Sequence, residues 1–297
     1  MKEETHPIHN TNDASRNKII DYSYRLEQHC PTFVYSVQYQ LWEGSVEAVS
    51  SEDCKQIPFD FNPYYVQSST NQSELKLFSH QLSIQLVSAS LGWHHISGKP
   101  DREFLRRKFE QSWQYDMHNG KKFLLFSSDA DWDECIEAVT PIPLTALRRI
   151  PFYYQQTDTQ RSMPSLPVGY SLEKINAAVI QKSSAYDENY IKTYWGSVEN
   201  YLQHGFGYAI WYEEEPVCAC ISIIANDICA EIDIETHKDH RGKGLAQIVA
   251  HAFIQECIRR GLYPRWDCLA DNDASRKLAL KLGFIEGTPY HMWTKAY

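Results

Sequence analysis

The sequence feature that most constrains the fold is a glycine-containing loop, RGKGLA at Arg241–Ala246, which stands where a strand pattern gives way to a long helix. Beyond the loop, apolar residues recur at helical spacing as far as Gly261. The first backbone N–H groups of such a helix lack intrahelical partners and carry the positive end of its dipole. Gly242 and Gly244 let a ligand approach this backbone, because they have no Cβ. The loop therefore predicts a pyrophosphate-binding site.

Two common phosphate-binding loops do not fit these residues. A P-loop requires a Ser or Thr directly after its GK pair, but Lys243 is followed by glycine and leucine. A dinucleotide fingerprint needs a third glycine, where Gln247 stands. The pattern that remains has Arg or Gln at its first position, Gly three residues later, and Gly or Ala two residues after that. Arg241, Gly244 and Ala246 satisfy this pattern. Three fixed positions are not specific by themselves.

A second pattern follows downstream and has the form NxxSxxLxxxxGF, from Asn272 to Phe284. Asn272 is expected to leave the end of a strand and to hydrogen-bond an amide of the ligand, and Ser275 to start a helix that faces the same ligand. The same two residues would also serve as an ordinary turn and helix cap. The separation of the two patterns by one helix and one strand favours a shared site.

The periodicity of the C-terminal half predicts an alternation of helices and strands around these patterns. We expect helices at Ser171–Tyr186, Ser197–His204, 245–260 and Ser275–Leu282, an antiparallel meander of strands at Phe206–Tyr212, Pro216–Ala225 and Cys229–Thr236, and later strands at Tyr263–Leu269 and within Phe284–Tyr297.

In this order of elements and in both patterns, residues 170–297 resemble the GNAT acyltransferase superfamily. The segments GFGYAI (205–210), EIDIETHKDHRGKGLA (231–246), YPRWDC (263–268) and NDASRKLALKLGF (272–284) are similar to its zwittermicin A resistance subfamily. The resemblance begins near residue 146. It implies an α/β (α+β) fold with a mixed, mostly antiparallel sheet flanked by helices, and an acetyl-CoA-dependent N-acetyltransferase.

The resemblance also implies a set of cofactor-binding residues. It places the pyrophosphate of coenzyme A on the backbone amides of residues 242–246, and the pantetheine arm along one strand and against Tyr263–Leu269. The residues that would hold acetyl-CoA are Ile234, Thr236, Arg241, Gly242, Lys243, Gly244, Leu245, Ala246, Asn272 and Ser275.

Transfer to an amine requires a base for the amine and an acid for the departing thiolate. Glu231, Asp233 and Glu235 alternate along one strand and share one face. Glu231 is closest to the position where the resemblance places a catalytic carboxylate, although ordinary solvated carboxylates would show the same pattern.

The identity of the acid stays open at this stage. Many GNAT enzymes carry a tyrosine seven residues after the asparagine, where this chain has Ala279. Tyr290, Tyr263, Cys268 or water are the alternatives, and Asp267 is as well suited to a structural role as to a substrate contact.

The N-terminal half shows no motif that names a ligand. We expect a flexible start at 1–20 and an α/β domain at 21–155, with strands at Thr32–Tyr39 and Phe123–Ser127 and helices at Glu103–Trp113 and Trp132–Val139. A linker at 156–169, rich in polar residues and proline, would then lead to the acetyltransferase domain at 170–297. A degenerate second copy of the GNAT unit in the N-terminal half stays open.

Composition restricts the partners and the compartment. The net charge is −9, and the short basic runs, Arg148-Arg149 and 106–108, are expected on solvated helix faces, so nucleic acid is disfavoured. Eight scattered cysteines without a CxxC pair favour a reduced cytoplasmic protein and no metal. No signal peptide or membrane span is expected. The expected acceptor is a small-molecule amine, such as an amino-bearing antibiotic or metabolite. A peptide or protein amine, a decayed CoA-binding protein and a homodimer stay open.

Overall fold

The computed structural model describes residues 44–50, 56–58, 82–127, 130–155, 164–226 and 229–295. The segments expected at 1–20, at Thr32–Tyr39 and over most of the linker lie outside these residues. Below, the N-terminal half means the described residues up to Gln155, and the C-terminal half means those from Pro164.

The described chain alternates between strands and helices in both halves. In the N-terminal half the elements are β1 (Gly44–Ser50), β2 (Gln56–Pro58), β3 (Leu82–Ala89), β4 (Trp93–Gly98), α1 (Arg102–Lys108), a π-helical segment (Phe109–Trp113), α2 (Gln114–His118), β5 (Leu124–Ser127), α3 (Ala130–Val139) and β6 (Leu144–Tyr154). In the C-terminal half they are β7 (Tyr170–Lys174), α4 (Ala177–Lys182), α5 (Glu188–Trp195), α6 (Val198–His204), β8 (Gly207–Tyr212), β9 (Glu215–Ala225), β10 (Cys229–Thr236), a 3-10 turn (Lys238–His240), α7 (Leu245–Arg260), β11 (Tyr263–Leu269), α8 (Asp273–Leu282), β12 (Phe284–Glu286) and β13 (Tyr290–Lys295).

All described strands belong to one sheet, in the order β2-β1-β3-β4-β5-β13-β6-β11-β10-β9-β8-β7, with β12 paired to β6 beside this path. The pairs β4/β5 and β10/β11 are parallel and the other pairs are antiparallel. The expected mixed, mostly antiparallel sheet flanked by helices is therefore confirmed.

The two halves share an order of elements and exchange their last strands. In each half an antiparallel set (β1, β3 and β4, or β8, β9 and β10) is followed by a helix, a parallel strand, a second helix and a final strand. The final strand β13 lies between β5 and β6, while β6 lies between β13 and β11. Each half is thus completed by a strand of the other, which joins them through backbone hydrogen bonds.

Two hydrophobic cores show why these elements hold their places. Val249, Phe253 and Cys257 of α7 are fully buried and pack with residues of the C-terminal strands and with Phe152 of β6. In the N-terminal half, the helices around Phe109 and Trp132 pack with Trp293 of β13. The exchanged strands therefore carry core residues of both halves.

The sequence prediction was wrong at the start of the C-terminal half. Residues 170–174 form the edge strand β7, paired with β8, instead of the first turn of a helix. The helix begins after Asn176, whose side chain accepts a hydrogen bond from the N–H of Val179 at 3.0 Å. The apolar spacing at Ile175–Val179 was helical, but the edge of β8 supplies hydrogen-bond partners that local propensity could not anticipate.

A half-buried carboxylate ties β13 to the N-terminal half and gives a test of the strand exchange. Asp133 of α3 accepts hydrogen bonds from Ser127 Oγ (2.5 Å), Trp293 Nε1 (2.8 Å) and His291 Nδ1 (2.6 Å). We expect Asp133→Ala to lower the free energy of unfolding by about 2–3 kcal/mol, because polar groups are left unpaired. Urea denaturation measures the change. Glu137→Ala, an exposed position on the same helix, is the control, and equal losses for the two variants would contradict this role.

Candidate active site

The parallel strands β10 and β11 lie side by side over only three residue pairs, 229–231 with 263–265. From Arg265 onward β11 pairs with β6, as far as Leu269. β10 meanwhile keeps its pairing with β9 up to Thr236. The two strands therefore separate, and among the described strands none pairs with the edge of β10 that faces β11 beyond Glu231.

A short loop leads from this separated end of β10 into helix α7. Gly242 and Gly244 have φ angles of 78° and 77°, in the left-handed region where a side chain is strained. Gly244 is the N-cap of the helix, and no side chain caps the first turn. The amides at the start of α7 are thus offered in the arrangement that suits a phosphate.

The two cations of the loop are held by their neighbours. Arg241 Nε donates to the carbonyl oxygen of Thr236 at 3.0 Å. Lys243 Nζ donates to Tyr170 Oη at 2.9 Å and to the carbonyl oxygen of Asp239 at 3.2 Å. Both side chains brace the loop against β10 and β7, and they leave positive charge beside the helix N-terminus.

The second pattern lies at the start of α8. Asn272 Oδ1 accepts a hydrogen bond from the N–H of Ser275 at 3.1 Å, so Asn272 caps the helix. Ser275 Oγ accepts from Trp266 Nε1 at 2.9 Å. The oxygen of the Asn272 amide and the Ser275 hydroxyl therefore have structural partners, and the Nδ2 group of Asn272 stays available as a donor.

The three alternating carboxylates of β10 lie on the face of the strand opposite α7. Their neighbours Ala230, Ile232 and Ile234 pack toward α7 in the C-terminal core. By the alternation of a strand, Glu231, Asp233 and Glu235 point the other way. Glu235 is exposed and the other two are half-buried, so the three carboxylates have different environments.

Next to Glu231 lies a cluster that the sequence did not reveal. Asp267 of β11 forms an ion pair with Arg149 of β6, and its second oxygen accepts a hydrogen bond from Tyr290 Oη at 2.8 Å. The side chain of Asp267 is 9% exposed. The expectation of a solvated helix face for Arg149 was therefore wrong, because Arg149 lies on a central strand and neutralises a buried carboxylate.

This environment sets the protonation of the cluster. Burial raises the pKa of Asp267 to about 6, with a further contribution from the Glu231 carboxylate, while Arg149 and Tyr290 act in the opposite direction. Burial and the Asp267 charge hold the pKa of the Tyr290 phenol well above its usual value. Tyr290 is therefore a protonated hydrogen-bond donor to a carboxylate that changes charge close to neutral pH.

Asp233 has a different pair of partners. It accepts hydrogen bonds from Tyr186 Oη at 3.2 Å and from Tyr190 Oη. Burial raises the pKa of both phenols far above the usual value, so both stay protonated. The two tyrosines are four residues apart in sequence, near the start of α5. This spacing is visible in the sequence, but it is equally typical of aromatic residues in a hydrophobic core.

Of the residues considered as an acid, Tyr290 is the one that the structure brings to these carboxylates. Cys268 points into the α7 core, where burial raises the pKa of its thiol. Ala279 is fully buried in the same core. The residue that replaces tyrosine at position 279 therefore fills space between α8 and α7.

Helix α1 of the N-terminal half corresponds to α7 in the order of elements, but its N-terminus is capped by a side chain. The carboxylate of Asp101 caps α1 and accepts hydrogen bonds from the N–H groups of Glu103 and Phe104, both at 2.9 Å. Strands β4 and β5 stay paired over 93–96 and 124–127, the whole length of β5. A negative cap and a closed strand pair do not suit a phosphate ligand.

Within the described ranges, no three His, Cys, Asp or Glu side chains converge on a possible metal site. No helix among those residues combines the length and the hydropathy that crossing a bilayer requires.

The titration of Asp267 can be tested directly. Because its pKa of about 6 exceeds the ordinary value of 3.8, its contribution to stability falls as pH rises from about 4 to 6. We expect carboxyl NMR to show a midpoint near 6, and Tyr290→Phe to move it upward, because a hydrogen bond to the charged form is lost. Tyr186→Phe, which affects Asp233, is the control. An Asp267 midpoint that is the same in Tyr290→Phe as in the parent protein would contradict the hydrogen bond between these two residues.

Comparison with known proteins assigns the family. The model of the GNAT acetyltransferase family matches residues 65–293. An uncharacterized N-acetyltransferase of Bacillus subtilis, YdfB, is 31% identical over 267 residues, which cover 90% of this chain and 91% of the relative.

Solved structures show the same fold. The GCN5-related N-acetyltransferase-like protein of Streptococcus suis is 21% identical, with a TM-score of 0.59 over 92% of this chain and 98% of that one. A tandem GNAT protein from the clavulanic acid biosynthesis pathway is 12% identical, with a TM-score of 0.51 over 96% and 95% of the two chains. The match of the family model across both halves, together with the bacterial relative, shows that this chain belongs to the GNAT acetyltransferases.

Proposed function

We propose that this acetyltransferase uses acetyl-CoA to acetylate the primary amine of a small molecule by direct attack in a ternary complex. The observation that carries the proposal is the separation of β10 from β11 beside a helix whose first turn no side chain caps. An open strand edge and free helix amides suit a ligand that has both peptide-like amides and a pyrophosphate. Acetyl-CoA has both, and it supplies an activated acetyl thioester when bound.

The residues fit this ligand in a definite order. The amides of residues 242–246 would hold the pyrophosphate, with positive charge from Arg241 and Lys243 nearby. Ile234 and Thr236 on the open edge of β10 would hold the pantetheine amides. Asn272 would contribute its Nδ2 donor, and Ser275 would act through the start of α8. The hydrogen bonds of Arg241 and Lys243 would remain when the cofactor binds, because they hold the loop in place without occupying its backbone amides.

We assign the base to Glu231, directly or through a water molecule. The incoming amine must lose a proton to attack, and Glu231 lies on β10 at the point where the strands begin to separate. Glu231 and Asp233 supply the negative charge that favours binding of the cationic amine before deprotonation, since Arg149 neutralises Asp267. Tyr290 is the candidate hydrogen-bond donor toward the departing thiolate, because its phenol keeps its proton beside the carboxylates, and solvent would then protonate the thiolate.

The N-terminal half fits a degenerate GNAT unit that does not bind coenzyme A. Its order of elements parallels that of the C-terminal half, and the tandem GNAT structure covers nearly the whole chain. The Asp101 cap and the closed β4/β5 pair remove the two features on which binding depends. The placement in the zwittermicin A subfamily, the cytoplasmic location, the division at 156–169 and a homodimer remain predictions. A peptide amine as acceptor and a decayed site are the alternatives.

The pyrophosphate loop is tested by calorimetry with acetyl-CoA, for which we expect one site per chain. A Cβ at Gly242 or at Gly261 meets no atom within 4 Å, and both residues have positive φ angles, so Gly242→Trp and Gly261→Trp are a matched pair at the two ends of α7. Gly242→Trp should weaken binding at least about tenfold, because the indole blocks the amides.

Gly261→Trp should bind acetyl-CoA like the parent protein, since it carries a similar backbone strain away from the loop. Equal binding by both variants would place the cofactor elsewhere, and two sites per chain would contradict the degenerate N-terminal unit.

The base is tested by Glu231→Gln, which keeps the shape of the side chain. We expect kcat in a free-thiol release assay over an amine panel to fall by roughly 100-fold or more, with acetyl-CoA affinity unchanged. Glu235→Gln, on the same face but exposed, should keep its activity. Unchanged turnover in Glu231→Gln would refute the assignment. Binding without turnover in the parent protein would favour a decayed site.

A further inference from the structure

A continuous row of aromatic rings runs from one carboxylate of the candidate active site to another. We call this row the aromatic arc, and its members in order are Tyr186, Tyr190, Tyr194, Trp93, Phe126 and Tyr290. Successive ring centroids are 5.1, 4.8, 5.9, 6.0 and 6.1 Å apart. These separations fall within the range of ring–ring contact, so the six rings form one connected cluster, in which Tyr186 and Phe126 are buried and the other four are partly exposed.

The two ends of the arc bracket Glu231. Tyr186 and Tyr190 bind Asp233, which is two residues from Glu231 on the same face of β10. Tyr290 at the other end binds Asp267, whose carboxyl lies in the electrostatic field of Glu231. Rings of the arc therefore lie beside both neighbours of Glu231, on the face of the sheet from which an amine would reach it.

Both halves of the chain build the arc. Trp93 begins β4 and Phe126 lies in β5, whereas the tyrosines belong to the C-terminal half. The sheet curves to allow this, because Val87 of β3 and Ile224 of β9 share one hydrophobic cluster with Phe126, although six strands separate β3 from β9. The N-terminal half, which lacks the features of a cofactor site, thus supplies part of the wall beside the carboxylates.

The charges along the arc restrict the ligand further. Glu231 and Asp233 favour one ammonium group here, while Asp267 at the other end is neutralised by Arg149. In the middle of the arc, Lys122 Nζ already lies 5.7 Å from the Trp93 ring centroid and 5.6 Å from that of Tyr194, and it is 3.4 Å from Tyr194 Oη. A second positive charge on the ligand would meet this ammonium group, while an apolar or aromatic body would meet ring surface.

We propose that the aromatic arc is the specificity-determining wall of the acceptor site, and that the acceptor is a monoamine with an apolar or aryl body. This inference rests on the proposed N-acetyltransferase function and deepens it, because it assigns a class of amine and a role to the N-terminal half. The amine would lie toward Glu231 and the body against the rings of Tyr194 and Trp93. Diamines and polyamines would be poor acceptors.

The test compares acetyl transfer to 2-phenylethylamine and to spermidine by release of free coenzyme A. The parent protein should have the higher kcat/KM with 2-phenylethylamine. Trp93→Leu and Tyr194→Leu should each raise KM for this amine by about threefold to tenfold, because a ring contact is lost, with kcat and acetyl-CoA affinity little changed. Tyr115→Leu removes a ring of the N-terminal half that is 70% exposed and should change neither value.

Lys122→Met provides the complementary measurement. Loss of the ammonium group should lower KM for spermidine by about threefold at low ionic strength and leave 2-phenylethylamine nearly unaffected. The inference is overturned if the parent protein prefers spermidine, or if neither leucine variant changes KM for 2-phenylethylamine. Acetyl-CoA binding and acetyl transfer would persist in that case, so the proposed function would survive. Failure of the parent protein to bind acetyl-CoA would instead refute both this inference and the proposed function.

Discussion

The site depends on the point at which strand β11 stops pairing with β10 while its other edge pairs with β6. Where β11 leaves β10, it gains β6 as an antiparallel partner on its other side over five residue pairs, and the edge of β10 stays open. β6 comes from the N-terminal half and buries Phe152 in the same core as α7. The opening between β10 and β11 therefore begins where a strand that lies far away in the sequence pairs with β11. The proposed pyrophosphate loop needs this opening beside it to hold the rest of the cofactor.

The same strand organises the chemistry on the opposite face of the sheet. Arg149 of β6 enters next to Asp267, and without this guanidinium a buried carboxylate would be costly at neutral pH. Tyr290 of β13 completes the cluster from the other exchanged strand. One arrangement of strands thus positions the loop on one face and a set of carboxylates and phenols on the other. Cofactor and acceptor would approach the opening from its two sides.

Much of the C-terminal half could be predicted from sequence, because its signals are local. Strand alternation, the glycine at position 261 and the apolar spacing of α7 act over a few residues, and the structure follows them closely from Gly207 to Leu282. The loop at Arg241–Ala246 could be predicted as a turn into a helix for the same reason, since Gly242 and Gly244 permit its backbone geometry. The strand at 170–174 was missed because its partner β8 lies more than thirty residues away.

The acceptor side of the site could not be predicted in the same way. Arg149 lies more than a hundred residues before Asp267 and Tyr290, and no spacing rule links the three. Trp93 and Tyr194 are equally remote from each other. Their meeting follows from the exchange of strands and the curvature of the sheet, which are properties of the whole chain. The signals for the proposed cofactor site therefore lie in a short segment of sequence, while those for the proposed acceptor site appear only after folding.

The position of β13 has a consequence for how the protein is made. This strand follows every other described strand along the chain, yet it lies in the middle of the sheet, hydrogen-bonded to β5 on one side and β6 on the other. During synthesis, β5 and β6 must each keep an unpaired edge until β13 emerges from the ribosome. Exposed strand edges of this kind are sites of mispairing and aggregation. The protein's yield in a cell should thus be governed by how quickly its last strand is inserted, and less by the stability of the finished sheet.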